Sequence, residues 1–257
     1  MAEPRVLVLR AAGINCENET QYGFETAGAA VEQIHVNRIL EKPDLLTQFG
    51  LLALPGGFSY GDHIAGGKVL AVELERALGD HLQTFVDRGG LLLGICNGFQ
   101  VLVKTGLLPG QDSARTEATL CWNDSHRYED RWVQLSIDPE RCVMAPKDQK
   151  TLSLPVGHGE GRFTMDAPEH SQTLVDDHRA VFRYRRRDGE EPRYPDNPNG
   201  SEAHVAGVCD PTGQILGLMP HPDRALFPWS HPAWTRDDKR EEGDGMILFR
   251  AAVSALR

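Results

Sequence analysis

No run of apolar residues in this 257-residue chain is long enough to cross a bilayer; the best, such as Leu91 to Leu93, are short strand-like pieces. No signal-peptide pattern precedes the strand-like residues reached by Val6. A soluble, cytoplasmic protein without a membrane partner is therefore expected. There is also no CxxC pair. The five cysteines, Cys16, Cys96, Cys121, Cys142 and Cys209, are odd in number and irregularly spaced, which argues against a disulfide framework and a structural zinc site. No GxxxxGK[ST] loop is present to cradle nucleotide phosphates. A basic face is lacking too: the formal charge is −10, the wrong sign for binding nucleic acid. The one basic cluster, residues 183–187, runs straight into Asp188, Glu190 and Glu191, so it reads as a solvated loop rather than a binding patch. Internal repeats and low-complexity linkers are missing, and one continuous domain over residues 1–257 is expected.

What is present is an ordinary globular composition, 40% apolar and 25% charged, in a chain long enough to bury a core without staples. Residues 5–9 (RVLVL), 51–54 (LLAL) and 91–95 (LLLGI) are continuous apolar runs that suit strands covered on both faces. A helix is predicted over 17–29, a strand over 31–36, and a helix beginning at Asn97 directly after the fourth strand. Strands alternating with helices predict an α/β fold, a mostly parallel open sheet with helices on both faces. The second half is richer in strands, predicted over 131–137, 151–156, 180–184, 205–208 and 215–218. Residues 190–200 form a Pro/Asn loop, 229–245 an irregular charged stretch, and 246–256 a closing helix.

Three motifs follow predicted strands. Gly94-Ile95-Cys96-Asn97-Gly98 is a nucleophile-elbow pattern with sulfur in place of serine oxygen. A nucleophile on so sharp a turn needs neighbours without Cβ atoms, so that strand and helix can approach closely. The positive end of the following helix faces the sulfur. Alone, such a cysteine is as readily a buried structural thiol. Pro55-Gly56-Gly57-Phe58 can offer backbone N–H groups to an oxyanion, alongside that of Asn97, though PGG by itself is an ordinary turn. His221-Pro222-Asp223 supplies a base and a carboxylate to orient it, though one HPD string among ten histidines is an ordinary loop. Oxyanion loop, elbow and His-x-acid, in this order along the chain, carry more weight together.

That order resembles the class I glutamine amidotransferases, in which a Cys-His-Glu triad hydrolyses glutamine and hands ammonia to a synthetase. PGGFSYGD (55–62), GICNGFQVL (94–102), GLLPG (106–110), HGEGRF (158–163), NPNGS (197–201) and GLMPHPDRA (217–225) narrow the resemblance to the glutaminase subunits of phosphoribosylformylglycinamidine synthases. The resemblance implies a flavodoxin-like sheet with additional strands in the second half. It implies Cys96 as nucleophile, His221 as base, Asp223 as the residue orienting it, and Gly57 and Asn97 as oxyanion donors. Gln100, His158, Gly159, Glu160 and Arg162 would line the glutamine pocket. No metal or organic cofactor is implied in this chain; ATP and Mg²⁺ belong to the partner. That partner would be an ATP-dependent formylglycinamidine ribonucleotide synthetase subunit of purine biosynthesis, with or without a small third subunit.

The chain departs from the family in two ways. Asp223 stands where the family has glutamate, about 1.5 Å shorter in reach, a gap that a loop shift or a bridging water could close. Residues 166–196 and 229–245 match poorly and receive no role. Two alternatives stay open: an amidotransferase of another pathway, and a catalytically weak regulatory subunit on the same fold.

Overall fold

A computed structural model describes residues 3–110, 118–236 and 240–257. The chain runs β1 (Arg5–Arg10), α1 (Glu17–Thr26), β2 (Ala30–His35), a short α2 (Val36–Glu41), β3 (Leu51–Leu54), α3 (Lys68–Asp87), β4 (Leu91–Ile95) and α4 (Asn97–Lys104). There follow β5 (Ala118–Cys121), β6 (Glu129–Ile137), β7 (Thr151–His158), β8 (Arg162–Met165), α5 (Pro168–Asp176), β9 (Phe182–Arg185), β10 (Val205–Cys209), β11 (Ile215–Leu218) and α6 (Asp244–Ser254).

Nine strands make one sheet in the order β2-β1-β3-β4-β11-β10-β9-β6-β7, and β5 pairs with β8 in a separate ribbon. From β2 to β11 every pairing is parallel; from β11 to β7 every pairing is antiparallel. The parallel half therefore has flavodoxin-like order, with β11 taking the fifth place. The β1-to-β2 and β3-to-β4 connections leave in opposite directions along the sheet. Right-handed crossovers then put α1 and α3 on opposite faces. α1 packs on α6 through Phe24 and Phe249, edge-on with centroids 4.9 Å apart, while α3 packs on α4. Sandwiched so, β1, β3 and β4 can be apolar throughout, and Val6, Leu7, Val8, Leu51, Ala53, Leu92 and Leu93 are fully buried.

Several boundaries differ from the sequence reading. The strand predicted over 31–36 is Ala30–His35, because His35 Nδ1 accepts from the N–H of Asn37 and caps α2. The basic cluster is only partly a loop: Arg183 and Arg185 lie in β9, and Arg186 pairs with Asp188 and Glu190 in the turn after it. The stretch 166–196 holds α5 and β9. No helix or strand crosses 190–200, yet Asn197 and Asn199 there are buried. Of the irregular stretch 229–245, residues 237–239 lie outside the described residues, and α6 begins within it at Asp244. Among the described residues no helix is long and apolar enough to cross a membrane.

Register is what positions the site. Leu54 of β3 stands opposite Gly94 of β4, and Leu218 of β11 opposite Ile95. The carboxyl ends of three adjacent parallel strands thus stop almost level. The next residues along each, Pro55-Gly56-Gly57, Cys96 and Met219-Pro220-His221, emerge side by side beyond the strand ends, where open α/β sheets hold their ligands.

Candidate active site

Cys96 sits between β4 and α4 with φ 51° and ψ −103°, a left-handed conformation that a side chain adopts at a cost. Its backbone is held on both sides: its N–H donates to Leu218 O at 2.8 Å and its carbonyl accepts from Gln100 N at 3.0 Å. The glycines are required by close approach. A Cβ on Gly98 would lie 1.9 Å from Leu54 O, and one on Gly94 would lie 2.7 Å from the Gly98 carbonyl. Cys96 is 6% exposed, and its sulfur faces Gly157 O at 3.7 Å.

The PGG turn packs on residues 13–16. Asn15 and Cys16 donate to Gly56 O, Phe58 donates to Gly13 O, and Ile14 bridges Gly57. Gly57 has φ +144°, and a Cβ there would meet the Gly13 carbonyl at 2.7 Å. These contacts use the N–H groups of Asn15, Cys16 and Phe58. Asn97 ties the turn to the elbow: its Oδ1 accepts from Ser59 N at 3.0 Å, and its Nδ2 donates to Asp62 Oδ1 and Gln100 Oε1, both at 2.9 Å.

His221 is buried, with Nδ1 at 3.2 Å and 3.4 Å from the two oxygens of Asp223. Asp223 thus reaches the ring directly, with no need of the loop shift or bridge that its short side chain suggested. The other ring nitrogen, Nε2, is buried and has no hydrogen-bond partner among the described residues. Burial alone would lower the pKa of this imidazole, but Cys96 and Asp223, with Cys16 behind them, hold it well above the usual histidine range.

The HGEGRF segment is distributed differently from the expectation. His158 Nδ1 lies 3.0 Å from Asn123 Oδ1, which also accepts from Gly161 N, and its Nε2 faces Asn199 Nδ2 at 3.5 Å. Burial, with the nearby charge of His221, pushes its pKa down to about 3, so the ring is neutral and its nitrogens point at protein amides. Arg162 turns to Asp124, with Nη1 at 2.6 Å from Oδ1. Gly159 O accepts from Asn123 N. Gln100 bridges the elbow to the same segment, Nε2 to Glu160 O at 2.8 Å, while Glu160 Oε2 accepts from Gly66 N. The structure therefore gathers Cys96, His221, Asp223, Gly57, Asn97, Gln100 and Glu160 at the strand ends, and turns the side chains of His158 and Arg162 toward other protein groups.

Other residues at the site were not singled out from the sequence. Tyr128 and Arg224 flank Gly157, where an added Cβ would lie 3.0 Å from the Tyr128 hydroxyl and from Arg224 Nη1. Tyr128's hydroxyl is raised by burial and by Cys96. Asp62 is raised by burial despite bonds from Gly67 and Asn97, and Lys104 is lowered by burial despite Glu160 and Asp62. Asp62 and Arg224 lie within the PGGFSYGD and GLMPHPDRA segments, while Tyr128 and Lys104 lie in none of the quoted motifs and reach the site only through the fold.

Residues 3–254 match the family described as CobB/CobQ-like glutamine amidotransferase domain. The chain is 42% identical, over 100% of its length and 99% of the relative's, to phosphoribosylformylglycinamidine synthase subunit PurQ of Dehalococcoides mccartyi. It is 36% identical to the subunit of that name from Archaeoglobus fulgidus, covering 99% and 97% of the two chains. A chain in the solved structure of PurLQS from Thermotoga maritima superposes with a TM-score of 0.73 at 27% identity, covering 100% of both chains.

Proposed function

The chain belongs to the CobB/CobQ-like glutamine amidotransferase family, and from that premise we propose how its site works. It is the glutaminase subunit of a phosphoribosylformylglycinamidine synthase, an enzyme that hydrolyses glutamine to glutamate and ammonia for purine biosynthesis. The observation that carries the mechanism is the level ending of β3, β4 and β11, which sets the elbow cysteine beside the buried His221–Asp223 pair.

His221 takes the proton of Cys96 as the sulfur attacks the side-chain amide carbon of glutamine. The N–H groups of Gly57 and Asn97 hold the oxyanion of the tetrahedral intermediate. When the C–N bond breaks, His221 returns the proton to the nitrogen and ammonia leaves, with the acyl group on sulfur as a thioester. Water then attacks that carbonyl, again losing a proton to His221; the C–S bond breaks, glutamate leaves and the proton returns to sulfur. Asp223 keeps Nδ1 protonated and stabilises the imidazolium formed in each half. Glu160, whose carboxylate accepts from Gly66 N, would meet the substrate's α-ammonium group. Gln100 and Asn97 lock its loop to the elbow, and His158 holds the loop's shape through Asn123 and Asn199.

Ammonia passes to an ATP-dependent formylglycinamidine ribonucleotide synthetase subunit, with or without a small third subunit, in the cytoplasm. The chain acts as a single unit and carries no metal or organic cofactor; ATP and Mg²⁺ belong to that partner. The direct His221–Asp223 contact favours a live glutaminase over a regulatory subunit. Limiting alkylation with a glutamine-like chloroketone, read by peptide mapping, tests the assignment: Cys96 is expected to be labelled before the more exposed Cys121, and preferential labelling of Cys121 or Cys209 would contradict it.

A further inference from the structure

A second buried sulfur lies beside the base. Cys16 precedes α1, is 3% exposed, and is brought inward because its N–H donates to Gly56 O at 3.3 Å. Its Sγ is 3.3 Å from Asn15 Oδ1 and 3.3 Å from Arg224 Nη2. Donor atoms of Cys16, His221 and Asp223 all lie within 4.8 Å of one another. Gly56 makes this meeting possible: a Cβ there would stand 2.6 Å from His221 Cε1, 3.3 Å from His221 Nδ1 and 3.4 Å from Cys16 Sγ. Sulfur and the Nδ1 edge of the ring share one small space.

We infer that Cys16 is a positioning residue for His221, its sulfur, held by Arg224, joining Asp223 as acceptor for the Nδ1–H of the imidazolium. The hydrogen-bonding capacities fit. A thiol has one hydrogen, which Asn15 Oδ1 can take, and lone pairs that can face Arg224 and the ring. The Asp223 contacts, 3.2 and 3.4 Å, are long for a charge-assisted bond, which is typically about 2.7–2.9 Å, so a second acceptor has room to matter. The titration directions agree: Cys16 is among the groups raising His221, after Cys96 and Asp223, and it raises Arg224 against the effect of burial. The three donors would also suit a thiophilic cation, but Arg224 already sets a positive charge beside the sulfur. A cation is therefore disfavoured there. The charged or titratable groups around His221 are Cys96 at the elbow, Asp223 in its own turn, Cys16 before α1 with Arg224 against its sulfur, Tyr128 before β6 and His158 on β7.

The inference rests on the glutaminase reading, and the test separates the two. Glutamate release by the assembled complex is measured against pH for the parent, Cys16→Ala, Cys16→Ser and Arg224→Met, with Cys96→Ala as control and ammonium-dependent synthesis reporting assembly. Cys16→Ala is expected to move the alkaline limb of kcat/KM about half to one pH unit lower, with kcat reduced and KM little changed. Serine, which still accepts a hydrogen bond, should restore most of the limb. Arg224→Met frees the sulfur but also removes a positive charge from the ring's surroundings, which raises the limb, so its limb should lie above that of Cys16→Ala. An unmoved limb in Cys16→Ala overturns the inference even if the rate falls uniformly. If that variant fails to assemble, an unmoved limb in Cys16→Val, which fills the space without an acceptor, does so. Glutamine use by the Cys96→Ala complex would instead overturn the glutaminase reading itself.

Discussion

His221 Nδ1 lies 3.2 Å from Asp223 Oδ1, in a pair whose side chains are 1% and 0% exposed. A carboxylate so placed fixes the imidazole's tautomer and supports its positive charge. Asp223→Asn keeps the shape and removes the charge, so glutamate release in the assembled complex is expected to fall at least tenfold, by the order of one lost charge-assisted bond. Because His221 is raised above its ordinary value, its protonated form is complete at low pH and is lost as pH rises through the elevated pKa. The asparagine variant should lose activity at lower pH than the parent. Asp223→Glu keeps the charge but must fit a methylene into a filled site, and should fall between the two. Equal pH profiles for Asp223→Asn and the parent would remove Asp223 from the mechanism.

His158 makes the opposite prediction for stability. Its folded pKa is about 3, against roughly 6.5 for an unfolded histidine. Above pH 6.5 both states are neutral and the group adds no slope. As pH falls from 6.5 toward 3, the unfolded chain binds a proton that the fold refuses, and stability drops by up to about 1.4 kcal/mol per unit from this residue. His158→Gln should be less stable at pH 7, having lost part of its network with Asn123 and Asn199, but should show a shallower acid slope. Urea unfolding at pH 7, 6 and 5 measures this; parallel slopes would contradict the buried neutral ring.

Gly98 is fixed by contact, not by flexibility. A Cβ 1.9 Å from Leu54 O cannot be relieved by rotating a side chain, so α4 must retreat from β3. Gly98→Ala is expected to destabilise the protein by more than about 2 kcal/mol and to slow alkylation of Cys96. Unchanged stability by urea unfolding would mean that the elbow is looser than the structure shows.

How much of this was legible beforehand depends on whether the signal was local. β1, β3 and β4 announced themselves as apolar runs, and the elbow announced itself through its glycines. α3 was not singled out, although Leu70, Leu74, Leu78 and Leu82 recur four apart and are all buried; that signal was present in the sequence. The placing of β11 next to β4 was not, because strand pairing between residues more than a hundred positions apart leaves no local pattern. The same applies to Cys16, which reaches His221 only because residues 13–16 pack on the PGG turn. His158 and Arg162 were read as pocket residues from the motif, but Asn123, Asn199 and Asp124 are their partners, and those pairings exist only in the fold.

In the proposed function labour is divided: this chain releases ammonia at Cys96 and a synthetase partner consumes it. Cys96→Ala removes the sulfur while leaving a small residue at the strained turn, so assembly should survive. The complex carrying Cys96→Ala is then assayed for formylglycinamidine ribonucleotide synthesis with glutamine, and separately with ammonium salts. Synthesis from glutamine should fall to background while synthesis from ammonium stays near the parent rate. Substantial glutamine-dependent synthesis by the variant would show that Cys96 is not the nucleophile.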